Sequence, residues 1–286
     1  MTETVERRFR LLEIEARVTT DDLAVLRALD ELAPRAVHDE PPGVVLPFDL
    51  SRRGEEIVVT GCARGPFTER SSIIAVQSVL SEAGGRLRRA HEQATVISAI
   101  TLLHDDRCVL LVGEAGGGKS TLAMALAMAG RTVMGDHLAL LEGGVAAPVP
   151  SRFSIGSASL PLLAALPGGE GHAILQKPAA DQTRVAIDPV DVGREWRAAA
   201  ARVSAVVLLE PNFGGWSRTR PIGAMEMARL TLRRCGPPMS PDPGWVGRVL
   251  SMLSEAETVV LEVGTPASAI EALGLFLDRR LGSGGG

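Results

Sequence analysis

Residues 113–121 read GEAGGGKST, after the apolar stretch Cys108–Val112 and at the start of the alanine- and methionine-rich stretch Lys119–Ala129. The first eight of these residues match the pattern G-x-x-x-x-G-K-[ST] at every fixed position. Glycines let consecutive backbone N–H groups turn toward a phosphate without interference from Cβ atoms. The pattern predicts a strand, a phosphate-binding loop and a helix whose N-terminal end faces the bound anion.

The residue types in this loop predict their roles in binding a nucleotide. Lys119 would reach the β- and γ-phosphates of ATP, and the hydroxyl of Ser120 would coordinate Mg²⁺. A chance match in a glycine-rich chain is the competing explanation, and the predicted strand and helix around the loop argue against it. The predicted nucleotide-binding residues are Gly113, Glu114, Ala115, Gly116, Gly117, Gly118, Lys119, Ser120 and Thr121.

A carboxylate follows the loop closely in sequence. Asp136 comes just after the short apolar strand predicted over Arg131–Met134. It is either an ordinary turn residue or, as the phosphate loop favours, a catalytic or metal-binding group. His137 is left open between a proton acceptor that orients Asp136 and a packed replacement that marks lost activity. The predicted catalytic residues are Asp136, Lys119 and His137, and the predicted metal ligands are Ser120 and Asp136.

The succession of motifs in Leu110–Ser120 and Gly130–Asp136 resembles the catalytic domain of HPr kinase/phosphorylase and its HPr-kinase-like relatives. In that family a β-hairpin leads into G-x-x-G-x-G-K-S, and a helix and then G-[HF]-x-L-[VL]-[AS]-D-D follow. The resemblance runs from about Thr95 to Leu281 and implies a compact P-loop core related in shape to phosphoenolpyruvate carboxykinase. It also implies that Asp136 lies near the metal and is the base for the acceptor hydroxyl.

Departures from the family pattern change the activity that the resemblance implies. His137 replaces the second aspartate, Ser98 falls near the position of a family histidine, and the phosphorylase signature loop is not visible. The implied enzyme is an ATP- and Mg²⁺-dependent kinase without phosphorylase activity, whose acceptor is a serine-type hydroxyl of a peptide, protein or small molecule. A catalytically weak ATP-binding regulator or partner-binding protein is the alternative, and a plain ATPase is a third. Lys177 and Arg184 are interpreted as solvated charges rather than phosphate clamps.

The remaining sequence predicts two domains and a tail. Residues 1–90 predict a small α+β recognition or accessory domain, in which residues before Leu23 cap a helix. Residues 91–281 alternate predicted strands with helices, which is typical of an α/β layer fold. Residues 282–286, GSGGG, predict a flexible tail.

Three local predictions concern segments outside the nucleotide loop. A helix over Ser71–Glu82 is expected to end at the glycine pair that begins with Gly84. The glycine- and proline-rich stretch Pro148–Gly171 is expected to be loop-like. Arg218 and Arg220 are expected in a flexible loop beside Gly214 and Gly215.

Composition argues against several other classes of protein. A net charge of −4 supplies no field that would favour nucleic acid or an anionic membrane. Three cysteines without a C-x-x-C pair argue against a disulfide framework or a zinc site. The charged N-terminal stretch lacks the apolar run of a signal peptide, and no stretch approaches ~18 apolar residues, so a cytoplasmic location is expected.

Aromatic residues and assembly complete the sequence-based expectations. The chain has six phenylalanines, three tryptophans and no tyrosine. This shortage predicts a site that holds a nucleotide by its phosphates and holds the adenine loosely. A homo-oligomer is compatible with the sequence, which does not fix the assembly.

Overall fold

The computed structural model describes residues 4–38, 40–176, 183–240 and 242–282 and has a mixed α/β fold. The chain forms two compact units, Met1–Glu92 and Gln93–Gly286. The α/β class predicted from the sequence is confirmed. Lys177 and residues 283–286 of the predicted tail lie outside the described residues.

The first unit is a five-stranded sheet with two helices. Strands β2 and β3 are parallel, and α1 connects them, whereas the other neighbouring strands are antiparallel. Helix α2 packs on α1 and on the sheet. The strands, in the order in which they pair, are β1 (Val5–Leu11), β2 (Ile14–Thr20), β3 (Val44–Arg53), β4 (Glu56–Thr60) and β5 (Phe67–Glu69). The helices are α1 (Leu23–Leu32) and α2 (Ser72–Ala90).

Helix α2 does not end at the predicted glycine pair. It continues through Gly84 as far as Ala90. The buried face of the helix explains this difference, because Val79, Ala83 and Leu87 are all fully buried along one apolar stripe. A glycine inside a helix costs about 1 kcal/mol relative to alanine, so the pair costs about 2 kcal/mol, and burial of the Val79 and Leu87 side chains together outweighs that cost.

The second unit is built on a ten-stranded mixed sheet and a separate two-stranded sheet. Its strands are β6 (Thr95–Ile97), β7 (Ala99–His104), β8 (Arg107–Gly113), β9 (Thr132–Gly135), β10 (Leu138–Glu142), β11 (Val145–Val149), β12 (Phe153–Gly156), β13 (Arg184–Ile187), β14 (Ala201–Pro211), β15 (Arg218–Arg220), β16 (Cys235–Gly236) and β17 (Glu257–Val263). Its helices are α3 (Lys119–Met128), α4 (Leu160–Ala164), α5 (Ala173–Gln176), α6 (Ala224–Leu232), α7 (Trp245–Glu255) and α8 (Pro266–Arg280).

The centre of the large sheet consists of three parallel strands, with β14 between β8 and β17. Their central residues are apolar and buried, which is typical of parallel strands covered on both faces. Leu209 pairs with Gly113, and Pro211 pairs with Val263, so all three strands end at the same edge of the sheet. In open α/β sheets this carboxyl edge is where ligands bind.

Two predictions about loops were wrong. Pro148–Gly171 contains β12, whose residues Phe153 and Ile155 are buried where it pairs with β13, and it also contains α4. Arg218 and Arg220 lie in β15, which pairs with β17 and forms ion pairs with glutamates of the neighbouring strands. Both predictions relied on local composition, whereas the strands in these segments form by pairing with residues distant in the sequence. Within the described ranges, every helix is too short or too polar to span a membrane.

Candidate functional site

The loop between β8 and α3, here called the glycine-rich loop (residues 113–118), lies at the carboxyl edge of the parallel strands. Gly113 packs so closely on β14 that a Cβ atom would lie 3.0 Å from the Cβ of Leu209. Gly118 has a φ of +83° and is the N-cap of α3, and its carbonyl accepts a hydrogen bond from the N–H of Leu122 at 2.8 Å. A side chain at either position would disturb the strand contact or the turn into the helix.

The side chain of Lys119 folds back across the glycine-rich loop. Its Nζ donates hydrogen bonds of 3.0 Å to the carbonyl oxygens of Gly113 and Glu114. Partial burial lowers the pKa of Lys119, the nearby charge of Arg234 lowers it further, and the carboxylates of Asp136 and Glu114 oppose that shift. The ammonium group is thus held over the loop by carbonyl oxygens that a stronger anionic acceptor can replace.

Asp136 follows β9 and is the buried acid of the site, with only 3% of its surface exposed. Burial raises its pKa to about 6, although a hydrogen bond from Ser120 and the positive charges of Lys119 and Arg184 oppose the rise. Its Oδ1 atom is buried and has no hydrogen-bond partner among the described residues. Unsatisfied buried oxygens are rare and costly, and they often mark functional sites.

His137, the next residue, is exposed in the wall of the same cavity. Partial desolvation lowers its pKa, and the positive charge of Lys119 lowers it further. The imidazole is therefore mainly uncharged at neutral pH. It adds no negative charge beside Asp136, whereas a second aspartate would.

A cavity of about 1010 Å³ brings most of the predicted residues together. It also includes Ser98 and Arg184, and the Arg184 Nε donates a 2.8 Å hydrogen bond to the hydroxyl of Ser154 in the cavity wall. Glu114 and Gly117 do not line the cavity. The predicted residues that line it are Gly113, Ala115, Gly116, Gly118, Lys119, Ser120, Thr121, Asp136 and His137.

Sequence reasoning missed two arginines of this cavity, Arg233 and Arg234. Arg234 donates from Nη2 to the Glu114 carboxylate at 2.7 Å, and its buried Nε has no hydrogen-bond partner within the described part of the chain. The Glu114 side chain is 75% exposed, so the acid within the loop points away from the cavity and is paired. Both arginines follow α6, and the pairing of β16 with β6 brings them to the site. No local motif could have revealed this long-range pairing.

The donor set at the end of β9 fits a magnesium ion bound together with a phosphate ligand. The Ser120 hydroxyl lies within hydrogen-bonding reach of the Asp136 carboxylate, and Asp136 Oδ1 is a buried oxygen that no described residue contacts by a hydrogen bond. Mg²⁺ is usually held by one or two carboxylates plus substrate phosphates and water. In the described residues there is no group of three or more His, Cys, Asp or Glu that could hold a metal.

The chain matches no protein-family model, and no curated protein matches it. Among solved structures it is similar to the Hpr(Ser) kinase/phosphatase from Coxiella burnetii, at 15% sequence identity and a TM-score of 0.29. That similarity covers 66% of this chain and 99% of the other.

Proposed function

We propose that the second unit binds ATP with Mg²⁺ and transfers the γ-phosphoryl group to a hydroxyl acceptor. One observation carries the proposal. One cavity at the carboxyl edge of the parallel strands brings together Lys119, Ser120 and the buried Asp136, whose Oδ1 has no partner among the described residues. A cationic side chain beside a glycine-rich loop recognises phosphates, and an unpaired carboxylate oxygen beside it is suited to a metal or a proton.

The charges of the cavity support transfer of a phosphoryl group. Bound ATP would replace the carbonyl oxygens of Gly113 and Glu114 as partners of Lys119, and the N-terminus of α3 would face the phosphates. Arg234 would stabilise the negative charge of the transferred group through its guanidinium, whose Nε has no partner among the described residues. Mg²⁺, held by Ser120 and Asp136, would neutralise charge on the phosphate oxygens.

Asp136 is the proposed base for the acceptor hydroxyl. Without metal, burial raises the pKa of Asp136 to about 6, and bound Mg²⁺ would lower it, so the carboxylate would be ionised at neutral pH and able to accept the hydroxyl proton. The cavity continues from Asp136 to Ser154, Ser159 and Arg184, which leaves room for an acceptor beside the nucleotide. The proposed acceptor is a serine-type hydroxyl of a peptide, protein or small molecule.

The second candidate function is an ATP-binding regulator without transfer activity. His137 favours it, because an exposed and mainly uncharged imidazole lies beside Asp136 where a second aspartate would add negative charge. Such a protein would bind ATP in the same cavity and would transmit occupancy to a partner. Phosphate release without an acceptor would instead identify an ATPase.

The test is transfer of label from γ-labelled ATP to a library of serine-containing peptides and to a pool of hydroxyl metabolites. We expect the wild-type protein with Mg²⁺ to label at least one acceptor, and Lys119→Ala to label none. ATP binding without labelling of any acceptor would support the regulator. Steady release of inorganic phosphate with no labelled acceptor would support the ATPase. Wild-type protein that binds no ATP would overturn all three functions.

A further inference from the structure

One aromatic ring in the cavity wall is exposed without a packing explanation. Phe213 is 64% exposed, and it is the only phenylalanine or tryptophan among the described residues that line the cavity. Most other phenylalanines of the chain are buried: Phe9, Phe48, Phe153 and Phe276. An exposed aromatic side chain inside a ligand cavity is a typical contact surface for a ligand.

The ring of Phe213 lies directly against the end of the glycine-rich loop. A Cβ atom on Gly118 would be 3.5 Å from Cε1 and 3.7 Å from Cζ of this ring. Gly264, Thr265 and Pro266, at the start of α8, line the cavity as well. The space beside the phosphate-facing loop is therefore bounded by an aromatic ring and by small or apolar side chains.

The backbone on both sides of Phe213 is fixed by hydrogen bonds. The Asn212 N–H donates to the carbonyl of Val263 at 2.8 Å, and the Asn212 side-chain amide donates to the carbonyl of Trp216 at 3.1 Å. The Gly264 N–H donates to the hydroxyl of Ser217 at 2.8 Å. The ring is thus presented from a backbone that is already ordered, which lowers the entropic cost of binding a ligand there.

We propose that Phe213 forms the base-binding subsite of this cavity and stacks on the base of a nucleoside triphosphate whose phosphates lie on the glycine-rich loop. The inference rests on the proposed function, because it requires a nucleotide on that loop. A planar base has an apolar face that matches an exposed phenyl ring, and stacking tolerates every base. The base would then be held by a defined stacking contact with one ring. The shortage of aromatic residues had instead predicted that the site holds the adenine loosely.

The experiment compares ATP with inorganic tripolyphosphate, both with Mg²⁺, as ligands of the full chain in equilibrium titrations. Phe213→Ala removes the ring, and Phe213→Leu keeps an apolar contact on Gly118 without a ring face. The control is Trp216→Ala, because Trp216 is 83% exposed in the same turn and does not line the cavity. Thermal melts check that each variant is folded.

We expect both Phe213 variants to raise the Kd for ATP by roughly 5- to 100-fold and to leave the Kd for tripolyphosphate unchanged. Trp216→Ala should change neither Kd. Equal weakening of both ligands, or an unchanged Kd for ATP, would overturn the base-binding subsite while nucleotide binding stands. Wild-type protein that binds neither ligand would overturn the proposed function and this inference with it.

Discussion

Two buried aspartates, one in each unit, have opposite environments. Asp22 in the first unit is 9% exposed, and both of its carboxylate oxygens have partners. Its Oδ1 accepts the Ala24 N–H at 2.7 Å at the start of α1, and its Oδ2 accepts the Arg52 Nε at 2.6 Å. Asp136 in the second unit is more deeply buried, and its Oδ1 has no partner among the described residues.

This contrast indicates different roles for the two aspartates: Asp22 stabilises the fold, and Asp136 is available to bind a ligand. The hydrogen bonds of Asp22 satisfy a helix N-terminus, which is a structural role. Asp136 is buried at a cost, and nearby positive groups do not cancel that cost, since its pKa remains raised to about 6. A buried group that destabilises the folded protein is retained where the function of the protein requires it.

The largest expected effect is on catalysis. Asp136→Asn keeps the size of the side chain and removes its negative charge, so we expect phosphoryl transfer to fall by about 10²- to 10⁴-fold. The rate is measured with labelled ATP and the acceptor identified by the library. Asp22→Asn serves as the matched acid-to-amide control and should transfer at the wild-type rate. Comparable losses of transfer rate in the two variants would contradict the claim that only Asp136 takes part in catalysis.

The next effect is on stability. Asp22→Ala removes the N-cap of α1 and leaves Arg52 without its carboxylate, so we expect a loss of about 2 kcal/mol in the free energy of unfolding. Urea unfolding of the full chain measures it. The neighbouring acid, Asp21, is exposed, and Asp21→Ala should unfold like the wild type. An equal loss in both variants would show that the hydrogen bonds of Asp22 do not matter.

The third effect depends on pH in metal-free protein. Burial raises the folded-state pKa of Asp136 from 3.8 to about 6. The stability that the folded protein gains by keeping this carboxyl group protonated is therefore fully present below pH 4 and is lost as pH rises through 6. Asp136→Asn should therefore exceed the wild type in unfolding free energy by about 3 kcal/mol at pH 8, and this advantage should vanish near pH 4. Urea unfolding in EDTA at both pH values measures the difference. A variant that is less stable than the wild type at pH 8 would contradict a costly carboxylate.

The smallest effect concerns the ion pair across the loop. Glu114→Gln removes the negative charge of a largely exposed partner of Arg234, so stability should change by less than about 1 kcal/mol. ATP affinity should rise a few-fold, since a negative charge near the phosphates is lost and Arg234 is held less tightly. Titrations at low and high salt should show a smaller gain at high salt. Weaker ATP binding would mean that the Glu114–Arg234 pair holds the loop in its binding conformation.

Sequence reasoning located the residues that are close together along the chain. Lys119 and Ser120 belong to one contiguous motif, and Asp136 follows a strand that comes soon after it, so local spacing was enough to place them. Arg234 and Phe213 enter the cavity only through the pairing of distant strands, β16 with β6 and β14 with β8. No local pattern encodes that pairing. Helix α2 was predicted too short for a related reason, because tertiary burial outweighs the local propensity of glycine.

The most direct test of a ligand role for Asp136 is an equilibrium titration of the wild type and Asp136→Asn with ATP, once in Mg²⁺ and once in EDTA. We predict saturable binding by the wild type that is tighter in Mg²⁺, and binding by the variant that gains nothing from Mg²⁺. An equal gain from Mg²⁺ in both proteins, or no gain in the wild type, would contradict the claim that Asp136 Oδ1, which has no partner among the described residues, binds the metal–nucleotide complex.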